Sequence, residues 1–122
     1  MKKLFTYATA ASCLVAFISA AQARPAYDGS YDGSWDLSLV TQRGACETYS
    51  FAVNINSGVI THPNLVRFKG YVARSGAVRA SVTVQDKFAS GSGRLSSNSG
   101  RGTWSGYSGS ARCSGYWTAV RN

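Results

Sequence analysis

From Ser34 onward, apolar residues recur at every second position in short runs, and glycine, asparagine, serine or aspartate closes each run. Such alternation puts successive side chains on opposite faces of an extended chain, so each run predicts a half-buried β-strand. Trp35, Leu37 and Leu39 share one face of the first run, which Gln42-Arg43-Gly44 ends. Tyr49, Phe51, Val53 and Ile55 then alternate with Ser50, Ala52 and Asn54, the clearest strand pattern in the chain. Asn56-Ser57-Gly58 turns into Val59-Ile60-Thr61, and Pro63, which lacks an N–H for a ladder, stops that strand. Val66, Phe68, Gly70 and Val72 are in phase, and Arg74-Ser75-Gly76 leads to Val78, Ala80, Val82 and Val84. The opposite face of that strand carries Arg79, Ser81 and Thr83, as in a sheet with one face in water. Ala89, Gly91, Gly93 and Leu95 stand together in the run over 88–95. Asn98-Ser99-Gly100 then turns into the run over 102–106, and a last strand covers 113–121.

The stretch over 90–114 is mostly glycine and serine, a composition that alone reads as disorder. Its glycines, however, are in phase with Leu95, Trp104 and Trp117, which places them on the inward face. A glycine there removes bulk where a bent sheet brings its walls together or where an indole ring lies across the strand. With about eight short strands, tight turns and no helical period, the pattern predicts an all-β antiparallel meander. Closing it into a small barrel or roll leaves no exposed edge.

The N-terminus follows a different pattern. Lys2 and Lys3 precede an apolar stretch that is densest over 13–21 and ends in Ala21-Gln22-Ala23. A positive start, an apolar run too short to span a bilayer and a small-x-small ending predict a signal peptide over 1–23. Residues 24–33 repeat Tyr-Asp-Gly-Ser turn formers and predict a flexible lead-in, leaving one domain over 34–122. With Cys13 removed, Cys46 and Cys113 remain, and two thiols in an oxidising secreted or periplasmic compartment predict a disulfide.

Charge adds a preference for partners. Of thirteen basic residues only Lys2 and Lys3 leave with the signal, so eleven face five acids, a net charge of about +6. This favours an anionic surface, a lipid headgroup or an acidic protein. The candidate contacts are Arg67, Arg74, Arg79, Arg94, Arg101 and Arg112. They are scattered rather than forming the basic run of a specific nucleic-acid arm. Tyr27, Tyr31, Tyr71, Tyr107 and Tyr116 lie out of phase with the inward set or in loops, where they serve a binding surface or pair across strands.

The same residues argue against an enzyme. His62 is the only histidine, and no serine sits in a Gly-x-Ser-x-Gly turn between strand and helix. Three of the five acids, Asp28, Asp32 and Asp36, lie at or near the lead-in, which is poor ground for a carboxylate pair across a cleft. Their spacing lacks the ligand alternation of a calcium loop, and one histidine with a bridged cysteine pair leaves no zinc set. The reading is a non-enzymatic binding or interaction module without cofactor or metal, and without a membrane-spanning segment after signal cleavage.

Gly33-Ser34-Trp35 at the first strand and Arg121 at the end of the last resemble the calycin group of lipocalin-like small barrels. The Gly-x-Trp pattern recurs at Gly102-Thr103-Trp104 and Gly115-Tyr116-Trp117, and the ending is similar to small exported proteins of Gram-negative bacteria. The resemblance implies that Trp35 and Arg121 are structural, the guanidinium packing over the indole to close the barrel, while Trp104 and Trp117 are placed in the core by their phase alone. It also opens two alternatives. One is a carrier of a small apolar ligand, with a cavity lined by Trp35, Phe51, Val82 and Trp104. The other resembles the periplasmic metalloprotease-inhibitor barrels, with residues 24–34 as the strand inserted into a protease.

Overall fold

Each alternating run becomes a strand because its polar backbone finds partners on both sides while its apolar face turns away from water. The computed structural model describes residues 29–64 and 67–122. The expected signal peptide, lead-in residues 24–28 and the start of the fourth run at Val66 lie outside the described residues. The strands are β1 (Gly33–Arg43), β2 (Tyr49–Asn56), β3 (Val59–Thr61), β4 (Phe68–Val72), β5 (Ala77–Val84), β6 (Lys87–Leu95), β7 (Ser99–Ser108) and β8 (Ala111–Arg121). Each pairs antiparallel with the next, and β8 pairs with β1, so the meander is a closed barrel. Closure leaves every strand with two neighbours and removes the unpaired edges of an open sheet.

Two strands outrun their sequence pattern. β1 continues through Gln42 and Arg43, which were expected to turn, because a bulge between Thr41 and Arg43 shifts its register on β8. β7 starts at Ser99 and ends at Ser108, beyond the expected 102–106, and the turn falls over 96–99, where Ser96 N–H bonds Ser99 O at 2.7 Å. Serine, glycine and arginine are weak strand formers, but flanking strands on both sides hold them extended.

The inward face is apolar: Trp35, Leu39, Val53, Ile55, Ile60, Val72, Val78, Leu95, Trp104, Trp117 and Ala119 are all buried. Gly102-Thr103-Trp104 and Gly115-Tyr116-Trp117 run antiparallel and in register, so Gly102 faces Trp117 and Trp104 faces Gly115. Each indole therefore lies across a glycine of the neighbouring strand and reaches the strand beyond. Trp117 Nε1 donates to Ser92 O on β6 at 3.1 Å, and Trp104 Nε1 donates to Val40 O on β1 at 3.1 Å. The glycines are sterically required for the first of these. A Cβ on Gly93 would stand 2.5 Å from Trp117 Cζ2, and one on Gly102 2.5 Å from its Nε1.

The lower end of the barrel is closed by the chain entering it. Residues 29–32, the second half of the expected lead-in, form a turn in which Asp32 N–H bonds Gly29 O. The Asp32 carboxylate accepts from the N–H groups of Ser57 and Gly58, which cap the β2–β3 hairpin. Arg121 donates to the carbonyls of Ser30, Asp32 and Ser97, and its guanidinium carbon lies 5.4 Å from the centroid of the Trp35 ring. Trp35 Nε1 in turn donates to Tyr31 O at 2.8 Å.

The upper end is held covalently. Cys46, in the β1–β2 connection, is bonded to Cys113 at the start of β8, with Cα atoms 6.1 Å apart. Gly44 makes this approach feasible: its φ is +92°, and a Cβ there would lie 2.6 Å from Cys113 Sγ. The bridge links residues 67 apart in sequence. Closing so long a loop stabilises by about 4 kcal/mol in the chain-entropy treatment, a large share of a small domain's stability.

Candidate functional site

Outward positions of β4–β8 alternate with the core positions, and strand register sorts them into rows that run around the barrel. One row is Tyr71, Arg79, Ser92, Thr103 and Tyr116, taken from β4 to β8 in order. The next, toward the upper end, is Lys69, Ser81, Ser90, Ser105 and Ser114, and β1 extends it with Arg43. Above it lie Thr83, Phe88, Tyr107 and Arg112. Arg67 joins this row through its carbonyl, which accepts the Thr83 N–H at 3.1 Å. Below, Arg94 stands directly opposite Arg101, followed by Thr118.

The wall therefore combines a floor of short hydroxyl side chains with cations around it. No aspartate or glutamate occurs in any of the five strands. Arg94 and Arg101 are like charges on facing positions, an arrangement that disfavours the pair unless an anion relieves it. Arg94 also donates through Nη1 to Ser75 O at 3.1 Å, which fixes its guanidinium against the β4–β5 turn. Between β4 and β7 the small side chains leave a shallow groove of about 700 Å³. Lys69, Tyr71 and Arg79 stand along it, and Ser81, Ser90, Ser92, Thr103 and Ser105 line it.

Of the six arginines read as contacts from sequence, Arg67, Arg79, Arg94, Arg101 and Arg112 fall on this one wall. Arg74 sits apart, in the β4–β5 turn at the lower end. Sequence reading passed over Lys69 and the serine floor. The outward direction of Lys69 was legible from its place between Phe68 and Gly70, but the alignment of Ser81, Ser90 and Ser105 depends on register. Among the tyrosines, Tyr71, Tyr107 and Tyr116 are exposed, Tyr107 stacking on Phe88 with centroids 5.7 Å apart. Tyr31 is instead half-buried against the core.

The interior holds an apolar cavity of about 70 Å³, with Trp35, Phe51, Val82 and Trp104 among its lining residues. Benzene occupies an apolar cavity of about 150 Å³, and sites for drug-sized ligands run to about 300–1,000 Å³. The barrel is mostly filled by its own side chains, which weighs against the carrier reading. The inhibitor reading meets a different obstacle, since residues 29–32 are fastened to the barrel base rather than free to insert elsewhere.

The side chains of His62 and Asp32 have local partners. His62 Nδ1 accepts the Asn64 N–H at 3.0 Å, and its ring packs edge-on against Phe51. Asp32 is engaged by the β2–β3 hairpin, and Asp86 lies in the β5–β6 turn, where its carbonyl accepts the Gly109 N–H. Among the described residues, no three His, Cys, Asp or Glu side chains come together as a metal site. No protein-family model, curated protein or solved structure matches the chain.

Proposed function

We propose that the protein is an exported, non-enzymatic binding module that engages an anionic partner through the outer wall of β4–β8. One observation carries the reading: five arginines and Lys69 share a wall whose strands hold no acid, two of the arginines directly opposed. Export is supported by the signal-like pattern over 1–23 and by the Cys46–Cys113 bridge, a bond that persists in oxidising compartments. The Arg121–Trp35 contact is the one the calycin resemblance implies, and the small interior cavity favours a scaffold that serves for rigidity rather than as a ligand cup.

Retention of the oxidised protein on an immobilised polyanion, eluted by salt, tests the proposal. Arg101→Gln and Arg43→Gln each remove one exposed charge, the first from the directly opposed arginine pair of the wall and the second from its margin on β1. Arg101→Gln is expected to lower the eluting salt concentration more than Arg43→Gln does. Equal shifts would mean that net charge alone drives retention, and the proposal would be wrong.

A further inference from the structure

We infer that the groove across β4–β7 seats an acidic polysaccharide, an inference that rests on the anionic-partner reading and specifies it. Neighbouring strands lie about 4.8 Å apart, and outward side chains diverge on a closed barrel, so Ser81, Ser90 and Ser105 present hydroxyls at that interval or somewhat more. That interval is close to the length of one pyranose unit, so successive sugars of an extended chain meet successive strands in equivalent positions. Ser92 and Thr103 repeat the arrangement one row below, about 6.8 Å along the strands. A hydroxyl both donates and accepts, which matches sugar hydroxyls whatever their orientation, and short side chains let a flat chain approach the sheet closely.

The edge of the groove supplies the other half of the recognition. Lys69 and Arg79 provide charge-assisted donors for carboxylate groups, and Tyr71, 52 % exposed, presents a ring face for a sugar to lie against. Other anionic partners fit less well. A membrane surface engages a basic face by charge alone or through an inserted apolar face, and neither makes use of the five serine and threonine side chains that line the groove. Protein interfaces are depleted in serine and lysine at their centre, where this groove concentrates them. A single-stranded nucleic acid requires successive stacking platforms, and Tyr71 is the one aromatic ring along the groove edge, the Trp104 indole being buried beneath the floor.

The test compares oligogalacturonate, polyglutamate and phosphatidylglycerol vesicles as probes for the oxidised protein, with tryptophan emission as a readout because Trp104 adjoins the groove. Two variants separate charge from shape. Lys69→Ala/Arg79→Ala removes the cations, and Ser90→Val fills the floor without changing charge; unchanged circular dichroism and melting verify the fold of each. Oligogalacturonate is expected to bind most tightly, and each variant to weaken it about tenfold or more. Ser90→Val should leave polyglutamate binding unchanged. Polyglutamate or vesicle binding as tight as that of oligogalacturonate, or glycan binding indifferent to Ser90→Val, would overturn the polysaccharide inference while leaving the anionic-partner reading standing. Failure to bind any of the three would overturn both.

Discussion

The inner and outer faces of β6, β7 and β8 are written on alternate residues of the same strands, yet they obey different constraints. Inside, Gly93, Gly102 and Trp117 form one steric unit, in which the indole occupies the volume that two side chains would need. Outside, the intervening residues Ser92, Arg94, Arg101 and Thr103 are exposed and project away from the barrel. The inner face is thus fixed by volume, where small changes propagate because the interior is close-packed. The outer face is fixed by little that folding requires, so its concentration of cations and hydroxyls calls for another explanation. Opposing Arg94 to Arg101 brings like charges together at a cost that the Arg94–Ser75 hydrogen bond offsets only locally, and the proposed anionic partner would relieve it.

Substitutions on the two faces should separate accordingly. Trp117→Ala is expected to have the largest effect, about 5 kcal/mol, because it opens a cavity over two glycines and removes the bond to Ser92 O. Chemical denaturation measures this directly, and a loss below about 1 kcal/mol would show that the indole is not the keystone of this wall. Gly102→Ala should destabilise by about 2 kcal/mol through overpacking, because a Cβ there would meet both the Ser92 carbonyl oxygen and, at 2.5 Å, the Trp117 ring, and only part of that loss should be recovered in a Trp117→Leu background. Fully additive losses in the double-mutant cycle would mean that the Ser92 carbonyl alone, and not the indole, excludes a side chain at Gly102. At the small end, Arg94→Gln/Arg101→Gln should change stability by less than about 0.5 kcal/mol, with a slight gain as the sign expected from relieving like charges. A clear loss of stability would make these arginines part of the fold and remove the contrast between the faces.

Much of the scaffold was legible in the chain. Period-two alternation and turn residues marked the eight runs that became strands, and two lone cysteines in a chain read as exported indicated the bridge now seen between Cys46 and Cys113. The glycines of 90–114 declared themselves by phase with the tryptophans. Strand ends were less legible at β1 and β7, where bulge and pairing override weak local preference. The candidate surface was half legible: the arginines could be named, but their gathering could not, since they come from connections and strands up to forty-five residues apart.

The sequence by itself determined which side of each strand meets the core, because that choice depends only on alternate spacing and the aversion of apolar groups to water. It also determined that bulk had to be absent wherever an indole would cross. Only the tertiary structure decided which outward residues became neighbours. Register across a closed sheet is set by all eight strands together, so the serine floor, the facing arginines and the clasp of residues 29–32 around Arg121 come into being only when the barrel closes.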